Sequence, residues 1–538
     1  MALVLLLAAC GGGGGGEAVG GGTTPPPSGG ASSPPSDVTH LVSIKLVSAQ
    51  ADALAPGTTM SYTAWGTFSD RVDRVISSTV SWSSSDKSVA TVGYDGGQYG
   101  TVQALKAGPV RISATQDGVS VTADVTVMPI KLLEAAAQDV NFPGTDAISI
   151  DDLGRVQASV AHSFSGSMFG TLPSLKLWGY DATSGWSVGT AANVDQNNRP
   201  TNPVMAANPQ GRVVRAWVGD LGVFAALYDP ASGWLPARNV SQGAAGSSLR
   251  VSIEDGGNAM LLWVDTANSV SYVRYDMASD AWSAPQIVDG GDGGVSGDGV
   301  AFAATGAGDA VMVRNRWDLG PWTVHAARYS PATGWEAPQV LRSGSAYTSP
   351  DVAIGAAGYI VVVGADQFNN DAYAIRYVPG AGWTAPVTLA STPAAIGAKV
   401  VVNGAGQAVM VWGSNNDGKV WASRLSAGTW EATPTLMSSG GSGTPEVLRP
   451  FMWADGRIFA SWNLGLTRVG ARRFDPVAGW SAEEALRMGF KGAVVDVAFA
   501  FNSGGAGAVV WAEGFDRYDS DGISHRFYDF YVDNTIQY

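Results

Sequence analysis

Residues 130–538 repeat one pattern, and a repeat of this length settles the class of fold before any other feature is weighed. One half of the pattern is an apolar run, a turn containing glycine, and a second apolar run that often ends in tryptophan. It is clear in Pro203-Val204-Met205-Ala206, Gly211 and Ala216-Trp217, and again in Val400-Val401-Val402, Gly406 and Val411-Trp412. The turn glycines are read as Gly154, Gly211, Gly257, Gly308, Gly358, Gly406, Gly456 and Gly507, one about every 50 residues. The other half is an aromatic residue, a turn and a Gly-Trp pair. It occurs as Tyr228-Asp229-Pro230-Ala231-Ser232-Gly233-Trp234, Tyr329-Ser330-Pro331-Ala332-Thr333-Gly334-Trp335 and Phe474-Asp475-Pro476-Val477-Ala478-Gly479-Trp480. Each period therefore supplies four short strands, the unit of a β-propeller blade.

Eight turn glycines face only seven turn tryptophans: Trp186, Trp234, Trp282, Trp335, Trp383, Trp430 and Trp480. The last repeat ends at Arg526-Phe527-Tyr528-Asp529 without its Gly-Trp strand. A matching strand stands at the other end, where residues 133–140 are similar to 282–288. Placing 133–140 in the last blade closes the ring and removes an open sheet edge. The count is eight blades, or seven if the irregular first repeat forms no blade of its own. The tight turns after the first and third strands must share one face of the ring. The opposite face then carries the irregular segments 162–176, 315–322, 365–371, 413–419 and 513–522, where function can vary from blade to blade.

Composition agrees with an all-β chain. Of 538 residues only 14% are charged, while Gly numbers 70 and Trp 19. The formal net charge of −14 makes nucleic acid and anionic membrane surfaces unsuitable partners. One cysteine excludes an intrachain disulfide, and four scattered histidines (His40, His162, His325, His525) form no zinc motif. No cofactor is expected.

Residues 1–10 read as the end of a secretory signal, too short to span a bilayer. Leu7-Ala8-Ala9-Cys10 resembles the bacterial lipobox, although no Lys or Arg precedes the apolar run. The resemblance implies cleavage before Cys10 and a lipid on its sulfur, with the outer membrane as destination. The membrane is then met only through that anchor. Residues 11–40 are rich in Gly, Pro, Ser and Thr and read as a disordered tether.

Residues 41–128 alternate apolar and polar residues in short runs, which predicts a β-sandwich. Val80-Ser81-Trp82-Ser83-Ser84-Ser85-Asp86 and Val89-Ala90-Thr91-Val92, with Ala55-Pro56-Gly57 and the closing run 121–127, resemble a bacterial Ig-like domain of group 2. That resemblance implies a stalk or adhesion unit like those of invasin- and intimin-type adhesins, with Trp82 in the core. The expected architecture is thus all-β, an Ig-like β-sandwich followed by a β-propeller over 130–538.

The Tyr-Asp-Pro-x-x-Gly-Trp turn loosely resembles the Asp-box turn of sialidase-like propellers, where such turns are structural. The turn tryptophans are therefore expected to wedge between blades. Arg274, Arg328, Arg376, Arg424, Arg473 and Arg526 recur before the third-strand aromatic residue and read as scaffold hydrogen-bonders. The run 413–419 imitates the start of a P-loop, but Val420 replaces the Ser/Thr, so it reads as a hairpin. Asp516, Asp519 and Asp521 are a weak calcium candidate without EF-hand spacing. No catalytic motif is legible.

Three functions fit these observations. The first is a lipid-anchored, monomeric surface protein whose propeller presents a glycan or protein site. Its candidate ligand residues are Trp317, Trp322, Phe368, Asn370, Asp371, Asn415, Asp417, Phe515 and Tyr518. Aromatic faces beside amides and carboxylates suit sugars, which offer C–H faces and hydroxyls. The second is a sialidase- or lyase-like glycan-degrading enzyme, and the third a purely structural envelope protein.

Overall fold

The computed structural model describes residues 39–538 except 49–52, 55, 96–97, 129, 139, 142–147, 163–173, 182–184, 190–200, 243–245, 291–298, 318–320, 345–348, 367–370, 391–394, 439–444, 465–468, 487–492, 519–523 and 538. The described residues form strands and turns, with no helix long and apolar enough to cross a membrane. Cys10, Phe368, Asn370, Asp519 and Asp521 lie outside the described residues, as do the side chains of Phe515, Asp516 and Tyr518.

The first module is a sandwich of two sheets. One holds Leu41–Ser48, Thr59–Phe68, Gln98–Ala104 and Ala90–Asp95, with Asp73–Val75 at its side. The other holds Ala53–Leu54, Val119–Val127, Gly108–Gln116 and Ser81–Ser84. Two-residue alternation turns Met60, Tyr62 and Ala64 inward from one sheet and Val110, Ile112 and Ala114 from the other. Trp82 packs against both core clusters, and its indole N–H donates to the Ser77 carbonyl at 3.0 Å.

Beyond it, eight antiparallel sheets follow one another among the described residues. We letter their strands a to d. Blade two is typical: a is Thr201–Ala207, b is Val213–Gly219 and c is Gly222–Asp229. Strand d is split into Gly233–Trp234 and Arg238–Asn239, both paired with c. The irregular first repeat forms its own sheet, with Val156–His162 as b and Ser174–Asp181 as c.

The ring closes at its seam. Strand Ile130–Gln138 runs antiparallel to Ser524–Gln537 as the outer member of blade eight. Val140–Asn141 then crosses over to pair with strand b of blade one, so the outer strand starts and stops earlier than the sequence pattern indicates. Blades eight and one share a core that includes Val156, Ala158, Val510 and Val532. Ser503 Oγ of blade eight donates to Asp152 of blade one at 2.8 Å, and Asn502 Nδ2 donates to the Asp151 carbonyl at 3.2 Å. The same Asn device joins other blades, Asn208 Nδ2 reaching the Glu254 carbonyl at 3.0 Å.

Turn glycines adopt positive φ where the pattern demands, Gly211 at 83° and Gly406 at 76°. Blade eight is an exception: Gly505, at φ 91°, makes the turn, and Gly507 sits in the strand opposite Phe501. Two glycines in one short segment make the spacing ambiguous, and the ladder register resolves it.

Turn tryptophans pack at a tilt against the strand-c aromatic residue of their own blade, and Trp335 reaches the preceding one. Trp335 lies 5.4 Å from Tyr329 and 5.9 Å from Tyr272 of blade three. Arg328, Arg376 and Arg424 of the repeated arginines are scaffold as well. Arg328 pairs with Glu336 beneath the Tyr377 ring of the next blade, 3.9 Å away, and Arg424 pairs with Glu431 beneath Phe474 at 3.8 Å. Arg376 instead donates to the Gly428 carbonyl of the next blade at 2.6 Å.

Candidate functional site

A repeat identifies its own exceptions. Six positions after the turn glycine, strand b carries Trp217, Trp263, Trp412, Trp462 and Trp511 in blades two, three, six, seven and eight. All five are buried, and Trp412 and Trp462 pack in clusters shared with the preceding blade. Blade one has Val160 at this position, while the neighbouring blades four and five have Arg314 and Gly364. These two adjacent sectors have given up a packing tryptophan.

Gly364 leaves room for another ring. A Cβ there would lie 2.4 Å from the Tyr373 hydroxyl, so Tyr373 of strand c fills the space that tryptophan takes elsewhere. The Arg342 guanidinium of blade four stacks on Tyr373 at 3.8 Å, and its Nη2 donates to Asp371 Oδ2 of blade five at 2.9 Å. Arg342 Nη1 and Asp371 Oδ1 are both buried and have no hydrogen-bond partner among the described residues. The ion pair thus keeps one unused donor beside one unused acceptor. Asp366, also buried, stands opposite Asp371 in the hairpin.

Above this pair lies an aromatic surface. Val311 and Val313 pack against blade five, so alternation along strand b places Asn315 and Trp317 on the same face. Val324 and Ala326 likewise place Trp322 there. Trp317 and Trp322 are cross-strand partners with rings stacked 6.1 Å apart at 28°, and Trp317 is 43% exposed. Trp322 is paired with Gly344 and Val324 with Arg342, so Trp322 sits two ladder positions from Arg342.

The other face of blade four is polar too. Fully buried Arg314 lies 3.4 Å from Asp289 of blade three and donates to the Asn268 carbonyl at 3.2 Å, while Arg316 reaches the same carboxylate at 3.2 Å. His325 Nε2 and Thr323 Oγ1 are 2.9 Å apart on that face. The charge is committed to a buried seam between blades, and no group of three His, Cys, Asp or Glu among the described residues is placed to hold a metal.

Of the residues singled out in the sequence, Trp317, Trp322 and Asp371 come together at one interface. They are not on loops: the ladder runs through Trp317, Trp322, Asp366 and Asp371. Asn415 and Asp417 occupy the blade-six hairpin. There the Asp417 carboxylate bonds Lys419 of its own turn at 2.7 Å, which holds its pKa below the usual range. Positions 515, 516 and 518 belong to the long strand Ala506–Tyr518 of blade eight. In a ring of eight, that sector lies across from blade four. Arg342, Tyr373 and Asn315 were missed in the sequence reading. The signal available for them was the missing strand-b tryptophan of blade five.

Comparison with known proteins identifies the first module. Residues 42–127 match the model of the bacterial Ig-like domain (group 2). These residues are a group 2 bacterial Ig-like domain. A 71-residue stretch is 45% identical to an alpha-L-arabinofuranosidase of Bifidobacterium longum subsp. longum, covering 13% of this chain and 6% of the enzyme. The BP39L lectin of Burkholderia pseudomallei aligns over 66% of this chain and 100% of its own, with 13% identity and a TM-score of 0.45. The Hadza microbial sialidase Hz136 aligns over 80% and 75%, with 12% identity and a TM-score of 0.36. An Aleuria aurantia lectin aligns over 58% and 99%, with 15% identity and a TM-score of 0.31.

Proposed function

We propose that this chain is a lipid-anchored surface protein whose Ig-like unit carries a glycan-binding propeller, with the site between blades four and five. The observation that carries this reading is the coincidence of three departures in one sector. The packing tryptophan is absent, a stacked tryptophan pair stands at the surface, and the Arg342–Asp371 pair beneath it keeps an unused donor and acceptor. A sugar presents C–H faces to aromatic rings and neighbouring hydroxyls that accept from a guanidinium and donate to a carboxylate. A half-buried ion pair of this kind gains more from such bonds than a surface pair, because water competes less.

A glycan array probed with the wild type and with Trp317→Ala tests the site. The variant is expected to lose about 1–3 kcal/mol of binding, roughly 5- to 150-fold. Its melting temperature is expected to stay near that of the wild type, because Trp317 is 43% exposed. If Trp317→Ala and Trp322→Ala lose stability but keep whatever binding the wild type has, the tryptophans are packing and the groove is absent. Anchoring is tested separately. Cys10→Ser is expected to abolish lipid labelling and release the protein from membranes. An unlabelled wild type refutes the anchor.

A further inference from the structure

We propose that the interface between blades one and two is a binding site for a small carboxylate, held by Arg215. Four positions after the turn glycine, seven blades have Ala158, Leu261, Met312, Val362, Met410, Ala460 and Val509, all buried. Blade two has Arg215, and it is fully buried. The scaffold therefore does not need a cation at this position. Val214 and Ala216 pack toward blade three, which turns Arg215 toward blade one.

None of its three guanidinium nitrogens has a hydrogen-bond partner among the described residues. The guanidinium lies over the Trp217 and Trp234 rings, 5.1 Å from each, and burial pushes its pKa down to about 9. Ring faces offset only part of the cost of desolvating a guanidinium, and the group remains a fork of donors without an acceptor. A cavity of about 230 Å³ opens in the same interface, lined by Asp151, Arg155, Asp181, Val213, Tyr228 and Pro230. Val213 is two residues from Arg215 on the same strand face, and the Tyr228 ring lies tilted against Trp234 at 5.4 Å. The cavity thus lies one same-face position along strand b from the guanidinium, with Val213 and not Arg215 in its lining. Its size suits a small molecule, and flat indole rings beside a planar fork favour a planar carboxylate over a tetrahedral oxyanion.

The test is thermal melting of the full chain in chloride-free buffer, with sodium acetate or sodium sulfate added at matched ionic strength. Acetate is expected to raise the wild-type melting temperature saturably, on the order of 3 °C, and sulfate less. Arg215→Met is expected to melt at or above the wild type without anion and to ignore acetate. Arg215→Lys, which keeps charge but loses the fork, is expected to shift less than the wild type. A wild type indifferent to acetate overturns the proposal, as does an acetate shift that survives in Arg215→Met.

Discussion

Replacing residues 130–138 with a Gly/Ser linker of equal length is expected to lower the melting temperature by about 5–10 °C and to promote aggregation. This strand is the outer edge of blade eight, paired with the chain's last strand from Ile130 opposite Asp533 to Gln138 opposite Phe527. Its Leu133 is buried in the core shared by blades eight and one, beside Val532 and Val510. The linker keeps the covalent reach from the Ig-like domain but removes both the ladder and Leu133. The bare edge of Ser524–Gln537 would then be a template for pairing with another copy. Scanning fluorimetry with light scattering reads both effects. An unchanged melt would mean that the Asn502 and Ser503 contacts to blade one hold the ring without the strand.

Trp412→Ala is expected to cost about 3–5 kcal/mol in urea denaturation. Trp412 is fully buried between blades five and six, packed with Val361, Val363, Val400 and Met410. Removing an indole from a site that cannot collapse leaves a cavity, since both blades are held by their own ladders. The contrast with Trp317→Ala is the informative part, because both residues lie on strand b of their blades and only Trp412 is fully buried. A loss below about 1 kcal/mol for Trp412→Ala would show that blades relax toward one another freely. The inference drawn from the missing tryptophan of blade five would then fall too.

Much of the fold was legible because propeller blades are built from local rules. Gly211 and Gly406 were readable as turns since only glycine adopts their backbone angles cheaply. The Gly-Trp pairs were readable as strand starts, and the single unmatched turn pointed to a strand borrowed from the other end. Two local readings went astray for the same reason. Gly507 and Gly505 compete for one turn, and polar or aromatic residues such as Asn315 to Trp317 looked like loop although the ladder continues through them. Composition describes a residue's surroundings only on average, whereas pairing depends on the strand opposite.

The site was legible in part. Trp317, Trp322 and Asp371 stood out as unusual residues in variable segments, and the structure brings them to one interface. Asp417, equally unusual, bonds Lys419 of its own turn.

What the sequence alone determined is therefore the period, the strand and turn character of each segment, and the identity of the first module, since these follow from alternation and local backbone preference. Tertiary structure decided which side chains meet. Arg342 and Asp371 belong to different blades, Tyr373 enters a space defined by an absent tryptophan, and blade eight stands across the ring from blade four. Such meetings depend on register and ring closure, which sum many weak contacts over the whole chain and leave no mark in any short stretch of it.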